Sequence, residues 1–428
     1  MSVIEAARGR VFGLAFDRWS VVALAGLGLC GALVAALLMR LVTETGGVNS
    51  YALLADAFLH GRFDSPTCFD SDCARLPDGR IFVIFPPVPA LVAAPIVALM
   101  GPGAHGFIAI TTVLALITGW SWWTIAGRLG LGREAQIWAT AAFMFGAPAI
   151  FVTLRGDNVW FFAQAVGLAL VSVAFVAALD RRLLLAGVLI GLAFLSRQMA
   201  LFLAPFLFVL SRPKGAPLIA FDRRTILDAV KLGAPILAAI GVYCLYNWVR
   251  FGAPLDTGYA YIAAYPAADD RNFITWRVLD KGLFNKDYFL SNVAYMFLQG
   301  FHIEFAGKYM TEIHGMDGLG TSILAASPFV FYAIYAKVDA KLLVGAIVIA
   351  IVGGITLFYH SNGFSQQNVQ RYALDWLPVL YVILLTGAFT GDPEKVAERL
   401  KIFKLLTIYA VGLNVAAFAV AAVSKGVV

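Results

Sequence analysis

The chain reads as long apolar runs separated by short polar breaks. Trp19–Arg40 is the first run. It is long enough to cross a bilayer, which takes about 20 residues. Arg8, Arg10 and Arg18 precede it, and no signal-peptide cleavage pattern follows them. These features predict a retained signal anchor with its start in the cytoplasm. Further apolar runs at Phe107–Ala126, Ala135–Val152, Val159–Leu179 and Val230–Val249 predict spans. So do Ser322–Ala336, Leu342–Tyr359, Leu377–Phe389 and Leu405–Val423. Leu183–Ser196 and Met199–Leu210 read as short helices flanking Arg197, and Tyr288–Phe301 as an interfacial segment.

Basic breaks alternate with acidic ones. Arg128 with Arg133, Arg181-Arg182, the 211–224 stretch (Arg212, Lys214, Arg223, Arg224), Lys337 with Lys341, and Lys395–Lys404 fall on one side by the positive-inside rule. Parity then requires one apolar segment not to cross. Pro86–Met100 is short and proline-rich, and is expected to be re-entrant or interfacial. The expectation is an all-α polytopic transmembrane helical bundle with roughly eleven crossings. Residues 1–428 form a single transmembrane domain, with a first extracytoplasmic loop at 43–89 and a second large one over 250–320.

The stretch from Thr43 to Pro89 departs from the apolar pattern, with Glu44, Asp56, Asp64, Asp70, Asp72, Asp78 and two cysteines. Within it, Asn49–Gly61 predicts an interfacial helix, capped by Asn49 or Ser50 and ended by Gly61. Cys68 and Cys73 in an oxidising compartment predict a disulfide that pins the loop. Two free thiols, or a metal clamp with Asp70 and Asp72, are the alternatives.

Composition excludes a soluble domain. Of 428 residues, 61% are hydrophobic and 14% charged. The net charge of +6 is consistent with basic loops facing anionic lipid, and no basic-aromatic tract supports nucleic-acid binding. The charges on the other side are Glu44, Asp56, Asp157, Arg197, Asp256, Glu304, Lys308, Arg371 and Asp375. Charge at apolar helix ends is costly unless paired or wet, so this set suggests a polar cavity. Carboxylates there can activate a hydroxyl, and cations can hold a phosphate. The plainer alternatives are a salt bridge of Asp56 with Arg62, an Arg371–Asp375 pair on one helical turn, and a snorkelling Arg197. Tyr259, Tyr261 and Tyr265 serve as an interfacial belt or a sugar-stacking platform. His302, Glu304 and His314 are too loosely spaced for zinc. A divalent metal at Asp157 is open but not required by any spacing.

The order of features resembles the membrane glycosyltransferases of the type C fold, which use polyprenyl-phosphate sugars. That group includes protein O-mannosyltransferases and aminoarabinose transferases of lipid A. The resemblance rests on Ala55–Arg62, Phe85–Leu91, Leu154–Trp160, Gly191–Arg197, Tyr246–Gly252, Gly258-Tyr259 and Gln370–Asp375. It implies a type C glycosyltransferase-like bundle in a bacterial inner membrane, its active site facing the periplasm. It also implies a polyprenyl-phosphate-linked sugar donor and a glycolipid, polysaccharide or protein acceptor. Glu44, Asp56 and Asp157 become the catalytic candidates. Arg197, Lys308, Arg371 and Tyr259 become the substrate-binding ones. Aligned on Tyr51, the family's first acid pair falls on Gly47 and Val48, which are not acids. Glu44 reaches the same place if the Thr43–Gly47 turn is flexible, and Asp56 is the next candidate. Two other readings stand beside the transferase: a transporter or flippase of a lipid-linked or anionic solute, and an inactive scaffold relative.

Overall fold

A computed structural model describes residues 9–11, 14–16, 18–70, 73–213, 215, 217, 220–264, 273–361 and 370–424. Arg8, Asp72, Lys214 and Tyr265, named above, lie outside the described residues.

Among the described residues the fold is helical, with three small two-stranded antiparallel sheets: β1 (Gly9–Val11) with β2 (Leu14–Phe16), β3 (Cys73–Arg75) with β4 (Ile81–Val83), and β5 (Ile303–Ala306) with β6 (Glu312–Met316). The first half of the chain forms α1 (Arg18–Thr43), α2 (Ser50–Leu59), α3 (Pro87–Met100), α4 (Phe107–Arg128) and α5 (Arg133–Phe145). It continues through α6 (Ala149–Leu154), α7 (Val159–Leu179), α8 (Leu183–Phe194), α9 (Ala204–Leu210) and α10 (Arg223–Phe251). The second half adds α11 (Tyr259–Ala264), α12 (Phe273–Lys281), α13 (Phe289–Val293) and α14 (Ile323–Ala326). The last three are α15 (Ala340–Leu357), α16 (Leu377–Ala388) and α17 (Pro393–Val423).

Among the described residues six helices are long and apolar enough to cross a membrane: α1, α4, α7, α10, α15 and α17. The chain is thus a multi-pass membrane protein. Burial ranks these helices. In α7, 83% of the apolar window is buried inside the protein, against 11% in α1. The central position of α7 follows from small and aromatic residues on every side of it, which leave no polar face for solvent. α3, with 14 residues, is about 21 Å long and falls short of the roughly 30 Å hydrocarbon core.

Several elements differ from the sequence expectation. Ala135–Val152 is not one helix. It divides into α5 and α6 at Gly146-Ala147-Pro148, because proline cannot continue a helix and Gly146 ends one. Ser322–Ala336 likewise splits into α14 and a 3-10 stretch at Pro328–Tyr335. α10 and α17 start earlier than their apolar parts, capped by Asp222 and Asp392. α2 is enclosed by protein rather than lying on one apolar face, with seven of its ten residues buried.

The region after α10 is tied to the end of α15 by polar contacts. Arg277 donates to the His360 carbonyl (2.9 Å) and to Ser291 Oγ (3.1 Å). Asn292 donates to the carbonyls of Leu357 and Tyr359 at 3.0 and 2.8 Å. His360 is 7% exposed, and its Nδ1 makes no hydrogen bond. Burial, aided by the Arg277 cation, pulls its pKa down from 6.5 to about 4. The folded protein therefore holds His360 neutral. Its contribution to stability is complete above about pH 6.5 and is lost as pH falls through 4, by roughly 3 kcal/mol in all. The thermal midpoint in detergent should drop between pH 6.5 and 4, and His360→Gln should flatten that part of the profile. An unchanged slope in the variant would show that other groups dominate.

Candidate active site at the end of the central helix

The first loop forms a roof. Asn49 caps α2 by accepting from Tyr51 N, and Ser50 Oγ bonds the Asp70 carboxylate. Cys68 and Cys73 form a disulfide with Cα atoms 6.1 Å apart. The roof is anchored through its main chain. Arg250 donates to Val83 O (2.9 Å), Tyr246 OH to Phe85 O (3.3 Å), and Val88 N to Leu195 O (3.0 Å). Arg250 is 1% exposed and stacks on the Tyr246 ring at 3.6 Å. The last of the three anchors uses a carbonyl at the break after α8. Phe85 and Phe162 then enclose the Tyr51 ring at 5.6 and 5.9 Å.

The three candidate acids have different surroundings. Glu44 caps α4 from a distance in sequence. Its carboxylate accepts from Gly106 N (2.8 Å), Phe107 N (2.7 Å) and Ile108 N (3.1 Å). A negative charge there satisfies amides that no helical carbonyl can reach. The turn carrying Glu44 is not free: a Cβ on Gly46 would stand 2.0 Å from the Gly103 carbonyl oxygen. Asp56 faces His60 (3.5 Å) and Arg62 (3.7 Å). Asp157 pairs through Oδ2 with Arg40 of α1, which also donates to Leu154 O at 3.3 Å. Asp157 Oδ1 is buried and makes no hydrogen bond. Its loop is set by Gly156, where a Cβ would collide with Thr111 of α4 at 2.4 Å, and by Asn49, whose Nδ2 reaches Gly156 O at 3.4 Å.

Beside Asp157 the arginines are interleaved with rings. Arg155 lies over Phe161 at 5.4 Å, and Arg371 lies over the same ring at 5.0 Å. Arg371 and Arg197 share Tyr372, at 5.0 and 4.9 Å. Each contact is a cation–π geometry within about 6 Å. Burial holds the Arg155 pKa below its ordinary value; the Asp157 carboxylate opposes the shift only in part, and Arg40 adds to it. Asp375 does not pair with Arg371. Arg197 holds it with two bonds, Nε–Oδ1 2.9 Å and Nη2–Oδ2 2.6 Å, and Gln164 of α7 adds a third at 3.1 Å. These residues line a narrow cavity of about 20 Å³, room for one water. Four arginines and two carboxylates thus gather around the start of α7.

Tyr259 begins α11 and lies within electrostatic reach of Arg197 and Tyr51, whose buried hydroxyl makes no hydrogen bond. Lys308 is exposed at the tip of the β5–β6 hairpin, over Tyr309, with no described contact to the cluster. Among the described residues Asp157 belongs to no group of three metal-type ligands, and Arg40 pairs with it. The one group of three metal-type ligands among the described residues is Cys68, Asp70 and Cys73, and its sulfurs are joined. Sequence reasoning did not assign Arg40, Arg155, Phe161, Gln164 or Tyr372 to the site. Arg40 was visible as a cation ending the first span. Arg155 and Tyr372 lie within the family-like stretches and Phe161 next to one, while Gln164 stands apart, with nothing to mark their contacts.

No family model and no curated protein sequence matches the chain. Among solved structures the chain is similar to the Archaeoglobus fulgidus oligosaccharyltransferase, with a TM-score of 0.48 and 15% identity over 93% of this chain and 56% of that one. It is also similar to ArnT from Cupriavidus metallidurans bound to undecaprenyl phosphate, with a TM-score of 0.45 and 13% identity over 95% of this chain and 72% of that one. The chain spans a little over half the length of the oligosaccharyltransferase.

Glu44→Ala leaves three amides of α4 without an acceptor and should cost about 2–3 kcal/mol, read as a lower unfolding midpoint. Arg197→Met strands a buried carboxylate and should cost about 3–5 kcal/mol, whereas Arg197→Met with Asp375→Leu should recover most of it. A double variant no more stable than the single one would show that the pair is not an isolated unit.

Proposed function

We propose that the chain transfers a sugar from a polyprenyl-phosphate-linked donor to a hydroxyl acceptor on the extracytoplasmic side of a bacterial inner membrane. The acceptor is a glycolipid, a polysaccharide or a protein. One observation carries the reading: Asp157 keeps a buried carboxylate oxygen without a partner, beside the arginine–aromatic series Arg155, Phe161, Arg371 and Tyr372. The other acids are engaged: Glu44 by three amides, Asp56 by His60 and Arg62, Asp375 by Arg197 and Gln164.

A sugar on a polyprenyl phosphate already has a good leaving group. The protein has to take the acceptor's proton and meet the charge that grows on the phosphate. In the proposed step the acceptor oxygen bonds to the anomeric carbon, the bond from that carbon to the phosphate oxygen breaks, and the electron pair leaves on phosphate. The acceptor proton passes to Asp157 Oδ1. Arg40, on the other carboxylate oxygen, orients the base. Arg155 and Arg371 supply positive charge to the leaving phosphate, which a water-poor site strengthens. Arg197, held by Asp375, orients Tyr372 and the helix break. A single displacement of this kind inverts the anomeric centre.

The test compares envelope glycolipids and polysaccharide by mass spectrometry in cells lacking the protein and in cells complemented with variants. Wild type should restore one missing sugar residue. Asp157→Asn should lose some stability with the Arg40 pair and, per folded molecule, transfer at least about 100-fold more slowly, the usual worth of a general base. Glu44→Gln should transfer in proportion to the folded protein remaining. Full restoration by Asp157→Asn would remove the catalytic reading and favour a scaffold. A complete precursor accumulating on the cytoplasmic side would point to transport instead.

A further inference from the structure

A second basic cluster lies at the other end of α10, whose first residue, Arg223, is about 40 Å along that helix from Arg250. There, Arg181, Arg223, Arg224, Leu227, Asp228 and Lys231 line a cleft of about 570 Å³. That is within the range of small-ligand pockets. Four cations face one carboxylate. Asp228 lies 3.7 Å from Arg181 and 3.9 Å from Lys231, longer than hydrogen bonds. Among the described residues neither Arg223 nor Arg224 has an ion-pair partner.

Arg181 is held in an unfavourable backbone conformation. It follows α7 with φ +60°, in the left-handed region. Its N–H bonds Ala178 O at 3.0 Å, and that of Arg182 bonds Ala177 O at 2.8 Å. This is the helix-ending motif in which that position is usually glycine. A long cation kept at a strained position over a cationic cleft suggests that its charge has a use. Apolar side chains are exposed on the same helix ends: Leu184 and Leu185 on α8, Ile226 and Val230 on α10. A phosphate in the cleft would lie above a surface suited to acyl chains.

We infer that this cleft binds the phosphate of an anionic phospholipid headgroup, its chains lying along α8 and α10. The inference is independent of the transferase reading. A soluble phosphate would satisfy the cations but leave the apolar rim unused.

The test is native mass spectrometry of the full chain in detergent, titrated separately with phosphatidylglycerol, phosphatidylcholine and inorganic phosphate. Phosphatidylglycerol should bind at least about 100-fold more tightly than phosphatidylcholine, at roughly 5-fold for each of three arginines. Arg223→Gln with Arg224→Gln should weaken phosphatidylglycerol about 25-fold on the same scale. Arg181→Gly should weaken it about 5-fold while raising the thermal midpoint, since glycine fits the left-handed backbone; a variant that merely unfolded would lower both. Arg80→Gln, in the exposed β3–β4 turn at the Arg250 end of α10 and so remote from the cleft, should change neither. No preference between the lipids, an equal loss in the remote variant, or inorganic phosphate binding as tightly as phosphatidylglycerol would overturn the inference.

Discussion

The arrangement depends on the pair between Arg197 and Asp375. The chain breaks its helical bonding after α8, between two apolar segments, where a stranded backbone group or charge would be expensive. The break is compensated from three directions. Arg197 N returns to Ala193 O at 2.7 Å, Val88 of the roof bonds Leu195 O, and the Arg197 side chain is neutralised by Asp375 with Gln164 alongside. That joint fixes α7, the α8 break and the 371–375 turn with respect to one another. Tyr372 and Arg371 are placed by it, and so is the ring of Phe161 between Arg371 and Arg155.

The apolar runs were legible because a span must be long and uniform, and run length alone finds it. The errors came from reading charge as loop. The first turns of α10 and α17 are polar, yet their propensity is helical and their caps, Asp222 and Asp392, stand in the sequence. The splits at Pro148 and Pro328 were also visible as prolines within apolar runs. The hairpins were not, since strands of three to five residues leave no usable alternation.

The site was legible as a set of acids and arginines but not as a wiring diagram. Glu44 and Asp157 were singled out from their place beside spans. Their partners are remote in sequence: Arg40 with Asp157, and Glu44 with the amides of Gly106–Ile108. Arg371 and Asp375, four positions apart, looked like a local pair. Asp375 instead serves Arg197, 178 positions away. Local spacing predicts contacts within an element, whereas a bundle assembles its polar centres from different elements.

The roof contributes main-chain oxygens at two of its three anchors and a main-chain N–H at the third. A joint of this kind fixes the path of the Val83–Val88 segment, whose side chains are buried, Phe85 against Tyr51, and leaves the exposed turn at 77–80 outside it. The side-chain specificity resides on α10, in Tyr246 and Arg250. Over evolutionary time the roof is therefore free to vary its outer surface, and with it the shape offered to an approaching molecule, while the beam beneath it stays fixed. Divergence should accumulate on the exposed turns of the covering segment and spare both its buried stretches and the helix that carries it.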